Sequence, residues 1–202
     1  MNLGLMNRRA AQKSLPYDAE IEYIGKINNA TSSVNAPILI LNDLNIDERT
    51  DCFEICFQNT KNVVAQDRYL FSSWSCLNFY ANSSRNYAIY LNGGWQYFYS
   101  IVINNDKHVV KVDYENGKGY VDGTVRKNWG AGSSNIQGVG LHIFYNINNC
   151  KLFYLKYWKN GVLILDLIPV RKGNVGYLWD KVNQTRYDLI TGKNTYVLGA
   201  DK

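Results

Sequence analysis

The chain has 202 residues, 46% hydrophobic and 19% charged. That is long enough for one domain with a buried core and too apolar for disorder over most of its length. The net charge of +5 is scattered, with small clusters only at Arg8-Arg9 and Arg171-Lys172. This excludes the concentrated basic stripe that nucleic-acid binding requires. No segment approaches the roughly eighteen apolar residues that span a membrane. The expected partners therefore include neither nucleic acid nor membrane.

Sixteen Tyr, seven Phe and five Trp, with frequent Asn, favour strands, turns and polar sheet faces over helices. Residues 1–16 form a polar, basic lead-in ending at Pro16, read as an extended N-terminal arm; residues 17–202 form the domain. Arg8 and Arg9 interrupt any apolar stretch of a secretory signal, so no signal peptide is expected.

Strand signals then recur along the domain. Glu20 to Ile24 alternates, Ile38 to Leu41 is a short apolar run after Pro37, and Asp43 to Thr50 has room for a helical turn. Cys52 to Phe57 alternates again. Leu77 to Ala81, Tyr87 to Leu91 and Trp95 to Ile103 follow, the last two joined by Asn92-Gly93-Gly94. His108 to Tyr114, Gly119 to Val121 and Thr124 to Arg126 are separated by Asn116-Gly117 and Asp122-Gly123, the mark of an antiparallel meander. Leu141 to Tyr145 comes next. Leu152 to Trp158 and Val162 to Ile168 flank Asn160-Gly161, the strongest short-range hairpin signal a chain can carry. Tyr177 to Trp179 and Tyr196 to Leu198 close the series. Many short strands with tight turns predict an all-β fold, sandwich or barrel.

Cysteines stand at 52, 56, 76 and 150. On a strand Cys52 and Cys56 share a face about 13 Å apart, too far to bridge. Four reduced thiols are expected, which suits folding in a cytoplasm.

Some segments resemble known families. His108-Val109-Val110 with Tyr120-Val121-Asp122-Gly123 resembles the central meander of concanavalin A-like, laminin-G-type jelly rolls. The opening Leu15-Pro16-Tyr17-Asp18-Ala19-Glu20-Ile21-Glu22-Tyr23 is similar to that of laminin-G-like proteins encoded by phages and prophages of gut Bacteroidales. So are Asp166 to Lys172, Val175-Gly176-Tyr177, Asp180-Lys181-Val182 and the ending Tyr196 to Gly199. The resemblance covers residues 15 to 200, weakest in the middle, and Lys26 to Asn35 departs from the family pattern. It implies a two-sheet jelly roll in a virion component: a capsid-decorating, head-fibre or tail-associated protein made in the bacterial host cytoplasm. Its partners would be other virion proteins, in a homo-oligomer or capsid-templated array. Arg8, Arg9 and Lys13 are then the virion-docking candidates.

Catalysis is not expected. Retaining glycoside hydrolysis needs two carboxylates about 5 Å apart, and no E-x-D-x-E run occurs. Glu20 and Glu22 share a face but read as solvent-facing, Glu54 could point to either sheet face, and Asp166 is read as a framework carboxylate accepting backbone or Arg171 hydrogen bonds. No G-x-S-x-G elbow or phosphate-binding glycine loop is present. No cofactor is expected; calcium, which needs six to eight oxygens, finds only Asp43, Asp47 and Asp106 at unmatched spacing. Glycan binding needs an aromatic ring beside amides and hydroxyls. Trp129 with Asn128, Trp95 with Asn92 and Gln96, and Trp74 supply that pairing, while Trp158 and Trp179 read as core. A stand-alone lectin module and a glycoside hydrolase are the alternatives to the virion reading.

Overall fold

The computed structural model describes residues 15–27, 36–60, 68–72, 78–81, 87–91, 94–98, 105–130, 135–145, 149–191 and 195–202. Among these residues the chain forms strands and no helix. In order they are β1 (Ala19–Glu20), β2 (Ile24–Ile27), β3 (Leu39–Asp47), β4 (Cys52–Asn59), β5 (Arg68–Ser72), β6 (Asn78–Ala81), β7 (Tyr87–Leu91), β8 (Gly94–Phe98) and β9 (Lys107–Asp113). There follow β10 (Lys118–Val121), β11 (Thr124–Asn128), β12 (Asn135–Tyr145), β13 (Cys150–Lys159), β14 (Val162–Lys172), β15 (Val175–Asp180), β16 (Thr185–Asp188) and β17 (Thr195–Leu198).

The strands form two antiparallel sheets, the sandwich of the two architectures that the turn spacing allows and the one that the jelly-roll resemblance implies. The larger sheet runs β11-β10-β9-β4-β13-β14-β15-β16, with β1 on β14, β2 on β13 and β17 on β2. The smaller runs β3-β12-β5-β6-β7-β8. Period-two alternation decides what lies between them. Phe53, Ile55 and Phe57 of β4, Val110 and Val112 of β9, and Leu165 and Leu167 of β14 turn inward. They meet Leu39, Leu41, Phe71, Ile89, Phe98, Leu141 and Ile143 of the smaller sheet. Each such burial contributes about 1.5–3 kcal/mol before conformational entropy is set against it. At Asp122-Gly123 (φ 50° and 75°) and Asn160-Gly161 (φ 49° and 73°) both central residues have positive φ. That is the type I′ geometry whose twist matches the strands it joins.

Three sequence expectations change. The helical turn proposed for Asp43 to Thr50 is mostly strand: β3 continues to Asp47, and a turn closes with Asp51 N–H donating to the Asp47 carbonyl at 3.0 Å. Register shifts where β12 pairs with β3 break the two-residue period, so Leu41 and Ile46 both reach the core and the strand pattern is hidden. Strands β5 and β16 had no alternation to announce them; the residues of β16 are mainly exposed. Trp158, read as core, is half-buried on the opposite face, because Tyr157 takes the core position. Trp179 packs in a second cluster with Tyr17, Ile168, Val170 and Tyr177, outside the main core.

The opening and closing segments form one structural unit. Asp18 N–H donates to the Arg171 carbonyl at 2.9 Å, and the Asp18 carboxylate accepts from Gly173 N–H at 2.7 Å. Tyr177 Oη donates to the Pro16 carbonyl at 2.9 Å.

Candidate functional site: an aromatic, cationic cleft on the outer face

Strand β13 carries a defect that builds the site. Leu152 pairs with Phe57 and Tyr154 with Cys56, leaving Phe153 as an extra residue in a β-bulge. Leu152 and Leu155 both reach the core, so Phe153 and Tyr154 both turn to the outer face. A bulge re-aims side chains in this way, and bulges concentrate beside functional sites. The aromatic pair thereby joins Tyr23, whose ring meets Phe153 edge-on at 5.8 Å between centroids, 62° between planes. Hydrogen bonds position Tyr23: its carbonyl accepts from Gly199 N–H at 2.9 Å, and Glu22 N–H donates to the Ala200 carbonyl at 2.9 Å.

These residues line a cleft of about 510 Å³ with Glu22, Gln58, Lys107, Lys151 and Lys202. Register explains the polar members. Lys107 of β9 lies opposite Gln58 of β4, and Gln58 lies opposite Lys151 of β13. The row is cation, amide, cation across three adjacent strands. Lys107 Nζ sits 4.3 Å from the Phe153 ring centroid and Lys151 Nζ 4.1 Å from that of Tyr23. Each contact contributes about 0.5–1 kcal/mol at an exposed site. Gln58 donates an amide N–H to the Asn105 carbonyl at 2.8 Å, which fixes its side chain.

Beside the cleft, Glu54 accepts from Tyr154 Oη at 2.9 Å. Burial, then this bond to a carboxylate, raises the Tyr154 phenol above its ordinary range. Burial pushes the Cys56 thiol up to about 11 against the opposing pull of Lys107. Cys52 rises to about 12, again mainly by burial. Neither is a thiolate nucleophile at neutral pH. Cys150 is buried and forms no disulfide, and Cys76 lies outside the described residues.

The two candidate carboxylates, Glu54 and Asp166, do not lie on adjacent strands. Lys156 of β13 stands in register between Glu54 and Asp166, so these two are separated by a whole strand, roughly 10 Å between backbones. Asp166 does not hold Arg171, as the sequence suggested. Arg171 pairs with Asp201 instead, and Asp166 keeps one buried carboxylate oxygen without a hydrogen-bond partner. The framework carboxylate is Asp180, fully buried, which accepts from Asp166 N–H at 3.1 Å, Val182 N–H at 3.0 Å and Asn183 Nδ2 at 2.5 Å. His108 and Asp122, both in the laminin-G-like motif, meet at 2.8 Å. Asp122 also accepts from Val109 N–H at 2.9 Å, so the pair closes the β10–β11 turn onto β9.

The tryptophan candidates fall elsewhere. Trp129 is half-buried, its ring 6.2 Å from Phe98 at 73° and packed on the main core. The approach requires Gly119, since a Cβ there would come within 2.0 Å of Phe98 and 2.8 Å of Trp129. Trp129 Nε1 is buried without a hydrogen-bond partner, while Asn128 is exposed. Trp95 and Gln96 sit on β8, at one end of the smaller sheet, opposite Tyr90 and Ile89. Asn92, Trp74, Arg8, Arg9 and Lys13 lie outside the described residues. Among the described residues no group of three or more His, Cys, Asp or Glu gathers as metal ligands, and the Asp47 carboxylate is taken by Arg49.

The cleft residues were missed because they are dispersed at positions 22, 23, 58, 107, 151, 153, 154 and 202. One signal was present. In Leu152-Phe153-Tyr154-Leu155 the two-residue alternation breaks at an aromatic pair, which is how a bulge reads in sequence.

Neither a scan against protein-family models nor a search of curated proteins found a match. Among solved structures, the fold is similar to that of a protein from Bacteroides ovatus ATCC 8483 described as a "putative carbohydrate binding protein". The TM-score is 0.59 at 11% identity, covering 89% of this chain and 60% of that one. At that identity the likeness establishes the β-sandwich fold. This chain spans less than two thirds of its neighbour's length.

Proposed function

We propose that this chain is a non-enzymatic carbohydrate-binding β-sandwich whose site is the outer-face cleft around Tyr23, Phe153 and Gln58. The bulge at Phe153 carries this reading. It interrupts a ladder at some cost and yields two outward aromatics beside a fixed amide, the materials of sugar recognition. The separation of Glu54 from Asp166 by Lys156 supports binding over cleavage, and the description of the structural neighbour is compatible with it. A glycan array tests the proposal: the wild type retains a defined set of glycans, and Phe153→Ala loses them while remaining folded. An array without hits, or hits unchanged in Phe153→Ala, overturns it.

A second reading concerns setting. What supports it is the resemblance of residues 15–23 and 166–182 to the phage-encoded group. In it, residues 1–16 dock the domain to a capsid, fibre or tail, in an oligomer or capsid-templated array, and the cleft meets host or mucosal glycans. Mass spectrometry of purified particles tests it: peptides of this chain at structural-protein abundance support the assignment, and their absence refutes it.

A further inference from the structure

We propose that the outer-face cleft selects acidic saccharides, sugars carrying a carboxylate or sulfate, through Lys107, Lys151 and Lys202. The inference rests on the carbohydrate-binding reading above and adds the ligand class. A neutral pyranose would stack on the faces of Phe153 and Tyr23. Those faces already carry the ammonium groups of Lys107 and Lys151, at 4.3 and 4.1 Å from the ring centroids. A neutral sugar would have to displace them to stack, whereas an acidic sugar recruits them. The rings hold two otherwise flexible cations in place, which lowers the entropic cost of using them.

Charge within the cleft agrees. Three lysines, Lys107, Lys151 and Lys202, line it against one carboxylate, Glu22. Among the described residues none of the three makes an ion pair, while Arg49, Arg171 and Arg186 hold Asp47, Asp201 and Asp188. A cation that no carboxylate neutralises is the one left for an anionic ligand. Lys107 and Lys151 flank Gln58 with their backbones two strand spacings apart, roughly 10 Å, about the reach of a substituted sugar ring. So short a row, with Glu22 at its border, suits a localised acid group on a sugar. An extended phosphate backbone takes a longer basic stripe.

The test uses the full chain and titration calorimetry at low and high salt. The probes are oligogalacturonate, its uncharged methyl ester, a sulfated heparin-derived oligosaccharide, neutral xylan and mannan oligomers, and polyphosphate. Binding of oligogalacturonate or the sulfated oligomer, weakened about tenfold by Lys107→Gln and again by Lys151→Gln, is expected, since a hydrogen bond to a charged group is worth about that factor. The binding weakens with salt and is absent for the methyl ester. Which acidic oligomer binds tells carboxylate from sulfate. Equal binding of acid and ester, or of neutral oligomers, overturns the acidic preference and leaves carbohydrate binding standing. Polyphosphate binding as tightly as the acidic sugars overturns it in favour of plain polyanion attraction. No binding by any saccharide overturns both readings.

Discussion

The outer face of the larger sheet carries two aromatic pairs of nearly the same geometry. Tyr17 and Trp179 meet at 5.7 Å and 60°; Tyr23 and Phe153 meet at 5.8 Å and 62°. The first pair is the more covered, with Tyr17 buried and Trp179 half-buried. It packs with Ile168, Val170 and Tyr177, the last only 1% exposed, and the Tyr177 hydroxyl is spent on Pro16. The cation over Tyr177, Arg186 at 4.4 Å, is spent on Asp188. The second pair is open, and among the described residues the lysines over it make no ion pair. Ring packing therefore does not distinguish a framework from a site. What distinguishes them is whether the polar groups around the rings are satisfied within the chain.

Removing the Tyr177 side chain attacks the covered region. Tyr177→Ala leaves a cavity beneath the opening segment at Tyr17 and costs about 3–5 kcal/mol, read as a lowered denaturation midpoint. Glycan affinity of the folded fraction stays at the wild-type value. A large loss of affinity at full folding would mean that the covered pair is part of the site.

A buried lysine sharpens the contrast between interior and cleft. Lys26, fully buried, donates from Nζ to the carbonyls of Ala36 at 2.6 Å and Phe144 at 3.2 Å. Burial lowers its pKa from 10.5 to about 8. Between those values the unfolded chain holds a proton that the folded chain has released, so stability rises with pH across the window. The gain is on the order of 3 kcal/mol by pH 10.5. Denaturant titrations from pH 7.5 to 10.5 should show the wild type gaining on Lys26→Met by that order. A constant difference would mean that Lys26 titrates normally.

Phe153→Ala strikes the open pair. Its ring is half-buried, so the stability loss should fall below that of Tyr177→Ala while glycan affinity drops at least about tenfold, the scale of a stacking contact with its associated cation. The smallest effect belongs to Arg171, whose ion pair with Asp201 is at the surface. Arg171→Ala should move the melting midpoint by about 2 °C or less, with no change in binding. A larger shift would give that pair a greater part in joining the chain's two ends.

The fold was legible because period-two alternation and Asn-Gly or Asp-Gly turns are local signals. Cys52 to Phe57 and Asn160-Gly161 express them without interference. Legibility failed where the register slips, at Leu41 to Ile46 against β12 and at Phe153 on β13, since a bulge moves side chains between faces without changing composition. It failed on the edge strand β16, whose exposed residues need not alternate. Indole side chains drew attention to Trp129, yet that ring is occupied by Phe98 and Gly119. The cleft was hidden because its cations come from strands far apart in sequence, and only the pairing of β9, β4 and β13 sets Lys107, Gln58 and Lys151 in a row.

The central claim is that the bulged aromatic face binds glycan. The most direct measurement compares wild type and Phe153→Ala by calorimetric titration with one glycan retained on an array, with the thermal midpoint of each recorded alongside. A loss of affinity of about tenfold or more in a variant that still melts cooperatively is the predicted result. Unchanged affinity in that folded variant would contradict the claim.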